Sequence, residues 1–118
     1  RRKAAAYYSA GFAHSDRIIT PTTSDFTTHV FHQYTLQIIG ADRDALHEHL
    51  NVNNIPNAIY YPVPLHNQKA YMNARYNDND FKVTNQLIRS VISLPMHTEL
   101  ETTQQDHIIH SILNFLNP

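Results

Sequence analysis

Histidines and lysines are the side chains of this 118-residue chain that could carry catalysis or hold a metal. His29 and His32 lie three apart in a predicted strand, so their side chains point to opposite faces. Of the nine histidines, only His107 and His110 could share a helical face, and two ligands fall short of a zinc site. We therefore predict no metal site, and solvated or singly hydrogen-bonded histidines instead.

Covalent catalysis finds no support in the residue pattern either. Ser93 is followed by Leu94 and Pro95, not by the tight glycine turn that exposes a nucleophilic serine. A Schiff-base lysine usually lies in a dry pocket, and a bound phosphate is usually held by a glycine-rich loop. The chain has only two glycines, and none of its lysines has such a setting; these are Lys3, Lys69 and Lys82. We predict no catalytic residue within this chain.

The segment IYYPVPLHNQKAY, residues 59–71, combines three tyrosines, two prolines and one histidine. Pro62 and Pro64 fix φ, remove two backbone donors and favour extended conformations before them. We call residues 59–68 the arm, because a stiff segment here would leave a strand and present Leu65 and His66. Such rigidity suits a surface that meets a ligand in one pose, and core packing is the equally plain alternative.

Composition excludes several classes of protein. The hydrophobic fraction of 42% and charged fraction of 16% are ordinary for one globular domain. A formal charge of −1 gives no electrostatic basis for binding nucleic acid. No apolar run approaches the ~18 residues of a membrane span, so we predict no membrane partner. The lack of cysteine suits a reducing compartment, and we expect a cytoplasmic protein.

The hydrophobic periodicity predicts an α+β fold, with about three strands covered by four or five helices. The predicted helices are 1–12, 43–51 with Asp42 as N-cap, 65–71, 81–92 and a last one that starts at a Thr102–Gln105 capping box. The predicted strands are 29–39, 55–61 and 93–95, and residues 13–28 are a predicted loop.

Five predicted faces supply the core. The first helix offers Ala5, Tyr8 and Phe12, and the first strand Val30, His32, Tyr34, Leu36 and Ile38. The helix 43–51 offers Ala45, Leu46 and Leu50, and the helix 81–92 offers Val83, Leu87, Ile88 and Val91. The last helix carries an amphipathic stripe of Ile108, Ile109, Ile112, Leu113 and Leu116.

Four segments resemble motifs of the DegT/DnrJ/EryC1 family, in order and with family-like spacing. IYYPVPLHNQKAY is similar to its Y-P-x-P-L-H-x-Q-x-A-Y signature, and HVFHQYTLQI to its H-x-Y-H-x-Y strand. RDALHEHLNVNNI resembles its R-D-x-L-x-x-x-L-x-x-x-x-I helix, with Asn54 where the family usually has glycine. SLPMHTELETTQQDHII resembles its S-L-P-x-x-x-x-L-x-x-x-Q element and closing helix.

The resemblance implies the small C-terminal domain of a fold-type-I PLP-dependent transferase, with a three-stranded antiparallel sheet covered by helices. Residues 1–12 would be the end of the interdomain helix and 13–118 the small domain. The large N-terminal domain, with the Schiff-base lysine and the site for pyridoxal phosphate (PLP), would be absent, so the chain alone would be inactive. The intact enzyme would be a homodimer that transfers an amino group, with glutamate as the expected donor, to a nucleotide-linked keto-sugar for polysaccharide biosynthesis.

By position in the family motif, Tyr61 and His66 are the predicted substrate-binding residues, followed by Tyr60 and His32. A histidine could donate to a sugar hydroxyl or phosphate, and a tyrosine ring could border the sugar. Two alternatives stay open at this point. The intact protein could be a PLP-dependent sugar dehydratase of the same family, or the chain could be a regulatory or DNA-binding module.

Overall fold

Three antiparallel strands form one sheet in the computed structural model, which describes residues 1–117. The strands are β1 (Ile18–Ile19), β2 (Tyr34–Ile38) and β3 (Val91–Leu94), with β2 in the centre. Four helices cover the sheet: α1 (Arg2–Phe12), α2 (Arg43–Val52), α3 (Lys82–Ser90) and α4 (Thr102–Leu116). Short 3₁₀ turns occupy Leu65–Asn67 and Asp78–Phe81. The predicted α+β class is confirmed; Pro118, the end of the predicted domain, lies outside the described residues.

The central strand holds the sheet together through both neighbours. Ile18 faces Ile38 in the β1–β2 pair, and Leu36 faces Ile92 in the β2–β3 pair. The Thr35 and Ser93 hydroxyls also share a hydrogen bond of 2.8 Å across β2 and β3. β1 lies inside the predicted loop 13–28, since a two-residue edge strand carries too short a pattern to be recognised.

The predicted inward face of β2 is correct only from Tyr34 onward. Tyr34, Leu36 and Ile38 are buried, whereas Val30 and His32 precede the strand and are exposed. Phe31 has a positive φ of 48°, which breaks the extended run before the strand can begin. The prediction of Val30 and His32 as core residues was therefore wrong.

Helices α1 and α4 pack against each other and enclose one side of the core. Ala5, Tyr8 and Phe12 of α1 are buried, as is most of the predicted stripe of α4. A Cβ built on Gly11 would lie 2.5 Å from Ile109 Cδ1, so glycine permits the close approach of the two helices. The core consists of Ala5, Tyr8, Phe12, Ile18, Tyr34, Leu36, Ile38, Leu46, Leu50, Ile55, Ile92, Leu94, Ile108, Ile109, Ile112 and Leu116.

The capping box of α4 lies one residue before the predicted Thr102–Gln105 pair. The Glu101 side chain accepts from the backbone N–H of Gln104, whose side chain in turn accepts from the Glu101 N–H at 3.0 Å. Gln105 is instead buried and donates to the Ala4 carbonyl at 2.9 Å. Its burial against α1 is the reason that it cannot serve as the capping side chain.

Helix α2 begins as predicted but turns a different residue inward. The Asp42 side chain accepts hydrogen bonds from the N–H groups of Asp44 at 2.9 Å and Ala45 at 3.0 Å. Leu46 and Leu50 are buried, but Ala45 is exposed and Arg43 takes the third inward position. The predicted inward position of Ala45 was wrong because the buried face follows 43, 46 and 50.

Helix α3 is shorter than predicted and begins after the 3₁₀ turn that ends at Phe81. Val83 is 70% exposed, and Val91 belongs to β3. The predicted helix 65–71 is reduced to the 3₁₀ turn Leu65–Asn67. The hydrophobic periodicity placed Val83 and Val91 on the inward face of this helix. That prediction was wrong, because Val83 points to solvent and Val91 lies in a strand.

The C-terminus of α2 explains the asparagine found where the family usually has glycine. Asn54 has a φ of +56°, in the left-handed region. Its N–H donates to the Asn51 carbonyl at 3.0 Å, and the Ile55 N–H donates to the Leu50 carbonyl at 2.9 Å. These two bonds and the burial of Leu50 and Ile55 make a Schellman motif, which requires the left-handed residue.

We expect Asn54→Gly to raise the free energy of unfolding of the chain by about 0.5 kcal/mol, because glycine adopts this φ without a Cβ penalty. Asn54→Val should lower it by about 1–2 kcal/mol, because a β-branched residue is strained there. Urea unfolding monitored by circular dichroism measures both. The same pair of changes at exposed Asn53, whose φ is −87°, should not reproduce this order.

Candidate functional site

The arm is anchored to the sheet at one point. Ala58 and Ser93 exchange two backbone hydrogen bonds, with N···O distances of 3.1 and 2.7 Å, in an isolated antiparallel bridge. The predicted strand 55–61 was wrong in extent, because prolines at 56 and 62 leave little room for further pairing. Beyond this bridge the chain leaves the sheet and exposes its side chains.

Tyr60 and Tyr61 stand at the surface directly after the bridge. Tyr60 is 47% exposed and Tyr61 is 71% exposed, and their rings meet edge to face with centroids 5.8 Å apart. Both line an apolar recess of about 550 Å³, together with Val63 and with Leu87 and Ile88 of α3. We call this recess the tyrosine pocket; its apolar walls and two phenol groups can border a sugar ring.

His66 has a different environment, since its side chain is only 8% exposed. Its ring stacks on Phe81, with centroids 4.1 Å apart and an interplanar angle of 15°. Its Nε2 lies 3.0 Å from Oδ1 of Asp78. This contact joins the 3₁₀ turn Leu65–Asn67 to the 3₁₀ turn Asp78–Phe81. These contacts hold the end of the arm against the start of α3.

Asp78 is the acceptor that joins three segments. Besides His66, Asn67 donates to its Oδ1 at 3.1 Å and Asn85 donates to its Oδ2 at 3.1 Å. The hydrogen bond from His66, followed by that from Asn67, lowers the pKa of the Asp78 carboxyl below its ordinary value of 3.8. The carboxylate therefore connects the arm, the following loop and α3 in its ionised form.

A second recess, of about 420 Å³, lies beside the end of the arm, and we call it the Arg75 pocket. His66, Tyr76 and Phe81 contribute rings to its wall, and Arg75 supplies a guanidinium. Leu65 and Thr84 line both this pocket and the tyrosine pocket, so the two are neighbours. Sequence reasoning missed this recess because residues 72–80 look like a polar loop; the adjacent Arg75 and Tyr76 were the available signal.

The four predicted binding residues do not form one cluster. Tyr60 shares the tyrosine pocket with Tyr61, and it shares a separate recess of about 420 Å³ with exposed His32. His66 lines only the Arg75 pocket among these recesses. The arm thus places Tyr60 and Tyr61 together in the tyrosine pocket, whereas His66 and His32 each line a different recess.

The lysines of the chain do not fit a PLP site. Lys3, Lys69 and Lys82 are all exposed, and none lines any of the recesses described above. A Schiff-base lysine requires a desolvated setting, and the exposed side chains of these three lysines are not in one. Over residues 1–117, no group of three or more histidine or acidic side chains is placed to hold a metal ion. Across the same residues, no helix combines the length and apolar character needed to span a membrane.

The fold and the site define a class of protein: an α+β domain whose stiff aromatic arm lines two neighbouring surface recesses. Comparison with known proteins identifies it further. The model of the DegT/DnrJ/EryC1/StrS aminotransferase family matches residues 1–113. The chain belongs to this family.

Individual relatives match almost the whole chain, but the chain matches only part of each. The pleiotropic regulatory protein of Geobacillus stearothermophilus is 35% identical over 98% of this chain and 31% of its own length. The UDP-N-acetyl-3-dehydro-alpha-D-glucosamine 3-aminotransferase of Acidithiobacillus ferrooxidans is 36% identical over 88% of this chain and 27% of its own. The crystal structure of DesV from S. venezuelae, in complex with a ketimine intermediate, superposes with a TM-score of 0.90 and 29% identity, covering 99% of this chain and 31% of that one.

The chain therefore spans about 30% of the length of these relatives. The structural likeness confirms that the fold is the one predicted from the motif resemblance. The relatives' activities belong to proteins about three times as long, so they serve this chain only as support for a proposal.

We predict that acid loosens the junction held by Asp78. Because the folded-state pKa of this carboxyl is lowered, its contribution to stability is full above the ordinary value of 3.8 and is lost as the pH falls through the lowered value. The stability advantage of the unmodified chain over Asp78→Asn, measured by urea unfolding, should be present at pH 5 and shrink at pH 3.

Asp80→Asn is the matched control, because the Asp80 carboxylate lies in the same turn and accepts no side-chain hydrogen bond within residues 1–117. An advantage over Asp78→Asn that did not change between pH 5 and pH 3 would contradict the role assigned to the ionised carboxylate.

Proposed function

We propose that this chain is the small C-terminal domain of a PLP-dependent aminotransferase that acts on a nucleotide-linked keto-sugar, with glutamate as amino donor. Family membership over residues 1–113 and the sugar aminotransferase named among the relatives support this. Residues 1–12 would close the interdomain helix and 13–118 would form the small domain. A large domain would hold PLP, which supplies the amine-carrying chemistry when bound, and the whole would be a cytoplasmic homodimer.

The observation that carries the proposal is the exposed Tyr60–Tyr61 pair at the base of a rigid arm. Two prolines and the Ala58–Ser93 bridge fix the arm before any ligand arrives, so binding need not order it. The tyrosine pocket offers apolar walls to a sugar ring and phenol groups to its hydroxyls. We assign Tyr61 and Tyr60 to the sugar, with His32 at the edge beside Tyr60.

His66 serves this site mainly by position. Its ring is stacked on Phe81 and its Nε2 is paired with Asp78, so little of the side chain is open to a ligand. Holding the arm in place would align the tyrosines with the substrate. If His66 contacts the substrate directly, removal of the Asp78 carboxylate should affect substrate binding little. If His66 positions the arm, that removal should weaken substrate binding as the loss of His66 does.

Of the alternatives, the dehydratase is not favoured, because the sugar-directed relative described above is named an aminotransferase. The regulatory alternative is supported by the name of the Geobacillus relative. A DNA-reading module needs a basic recognition element, but the formal charge is −1 and α4 carries no lysine or arginine. Retardation of promoter DNA by the chain in a gel-shift assay would favour the regulatory role.

The activity is tested with the protein encoded by the complete reading frame that contains this chain. We expect glutamate to convert its bound cofactor to the amine-carrying form, and a dTDP- or UDP-linked keto-sugar to reverse that spectral change. Mass spectrometry should then find the aminated sugar nucleotide. A folded, PLP-loaded protein that aminates no member of a panel of such sugars would overturn the proposal.

Tyr61→Ala should raise the KM for the sugar nucleotide by roughly tenfold to a hundredfold, the scale of one or two lost polar contacts. His66→Ala should raise the same KM by releasing the end of the arm from Asp78 and Phe81. The glutamate half-reaction should change little, because it involves only PLP and a small amino acid. Stopped-flow measurement resolves the two half-reactions, and His14→Ala, exposed on the turn after α1, is the control.

If His66 acts by position, Asp78→Asn should reproduce its KM effect. A loss confined to His66→Ala would instead assign it a direct contact with the substrate. Equal losses in both half-reactions for the Tyr61 and His66 variants would contradict their assignment to the sugar.

We further predict that the 118-residue chain by itself forms no lasting covalent bond with PLP, because its three lysines are exposed. After incubation with PLP and exhaustive dialysis, the visible absorbance of lysine-bound PLP should be absent. A retained band mapped by mass spectrometry to Lys3, Lys69 or Lys82 would contradict this.

A further inference from the structure

The segment that leads from α2 into the arm is held by a closed set of three polar side chains. His47 Nδ1 contacts Asn57 Oδ1. Asn57 Nδ2 donates to Asn51 Oδ1 at 3.0 Å, and Asn51 Nδ2 lies 3.3 Å from His47 Nε2. The Asn57 amide also donates to the Ile55 carbonyl at 3.1 Å. We call the side chains of His47, Asn51 and Asn57 the His47 network.

The Ile55 carbonyl fixes the direction of every bond in the His47 network. Because a carbonyl only accepts, the Asn57 group that faces it is the NH₂, and the Asn57 oxygen faces His47. That oxygen requires a hydrogen on His47 Nδ1. The other Asn57 N–H requires the oxygen of Asn51, which leaves the Asn51 NH₂ to donate to His47 Nε2. The bonds therefore specify the neutral imidazole with its hydrogen on Nδ1.

The His47 network lies directly beside the anchor of the arm. Asn57 precedes Ala58, whose backbone pairs with Ser93 in the isolated bridge. Asn57 and Tyr60 also line one recess of about 420 Å³, so the amide held by His47 is a neighbour of a tyrosine that we assign to the sugar. His47 and Asn51 belong to α2, so this helix fixes the segment from which the arm departs.

The imidazole of His47 is committed to this segment. Within residues 1–117 its side-chain hydrogen bonds are those with Asn57 and Asn51, and it takes part in no ion pair. His49, two positions further along α2 and on the opposite side of the helix, instead meets Ser111 of α4 at 3.1 Å. The link from α2 to α4 is thus separate from the link to the arm.

We propose that His47 is a positioning residue for the substrate-binding tyrosines and that it acts through Asn57. The neutral imidazole holds the Asn57 amide, and the amide holds the segment between α2 and the bridge, so Tyr60 and Tyr61 start from a fixed place. A pair of tyrosines that had to be ordered on binding would bind a ligand less tightly. The assignment rests on the proposed function for the identity of that ligand.

The test uses the protein from the complete reading frame and measures its two half-reactions separately. His47→Ala should raise the KM for the sugar nucleotide by roughly threefold to tenfold, the scale of one lost hydrogen bond, and leave kcat and the glutamate half-reaction within about twofold. His47→Asn should keep the KM within about twofold of the unmodified protein, because its amide N–H can replace the Nδ1–H donor. Glu48→Ala, at the exposed neighbouring position of α2, is the matched control.

A double-mutant cycle separates action through Asn57 from a general loss of stability. Asn57→Ala should raise the same KM, and adding His47→Ala should raise it by less than about twofold further, because the contact is already lost. Fully additive effects would overturn the proposal. So would an unchanged KM in a His47→Ala protein that circular dichroism shows to be folded, or an equal rise in Glu48→Ala.

Two further measurements do not depend on the reaction. Nuclear magnetic resonance of the protein labelled with ¹⁵N-histidine should find the His47 hydrogen on Nδ1. Hydrogen exchange should be faster in the peptide 55–66 of His47→Ala than in that of the unmodified protein. Both results in a protein that aminates no sugar would support the His47 network and reject the aminotransferase activity. Sugar amination together with the Nε2–H tautomer, or with unchanged exchange in His47→Ala, would keep the activity and reject the positioning role.

Discussion

The buried guanidinium of Arg43 is the interaction on which the geometry of this domain depends. It donates to the Ile88 carbonyl at 2.8 Å and to the Val91 carbonyl at 2.6 Å, and it pairs with Asp44 at 2.7 Å. These bonds satisfy carbonyls at the corner where α3 ends and β3 begins. An arginine that is 6% exposed is costly to bury, and removing it would leave those carbonyls without their donor.

The functional surface is built outward from that corner. β3 starts at Val91, pairs with β2, and offers Ser93 to the bridge with Ala58. The arm starts at this bridge. Helix α3, which ends at the same corner, forms one wall of the tyrosine pocket. Since the arm has a single backbone anchor in the sheet, the side-chain contacts of His66 with Asp78 and Phe81 must supply the second.

The parts of the fold that sequence reasoning recovered are those with local signals. The period-two pattern from Tyr34 to Ile38, the Asp42 cap and the apolar stripe of α4 each contain their own physical cause. The strand β1 and the burial of Arg43 have no such local signal in the sequence. A two-residue edge strand is defined by its partner, and Arg43 is buried only because α3 and β3 present carbonyls to it.

The same distinction applies to the candidate site. The prolines and tyrosines of the arm predict a rigid surface rich in aromatic rings. Tyr60 and Tyr61 are exposed, in agreement with that prediction. The Arg75 pocket could not be foreseen, because the loop that forms it takes its place only through contacts with His66, Asn67 and Asn85 that converge on Asp78. Twelve positions separate His66 from Asp78.

Asp78 links the walls of the two recesses, since its donor His66 lines the Arg75 pocket and its donor Asn85 belongs to α3, which lines the tyrosine pocket. A carboxylate that joins the arm to the loop and to α3 couples the shape of one pocket to that of the other, because Leu65 and Thr84 belong to both. Loss of this carboxylate would release His66 and Asn85 together, so it would loosen a wall of the Arg75 pocket and the helix that lines the tyrosine pocket at the same time.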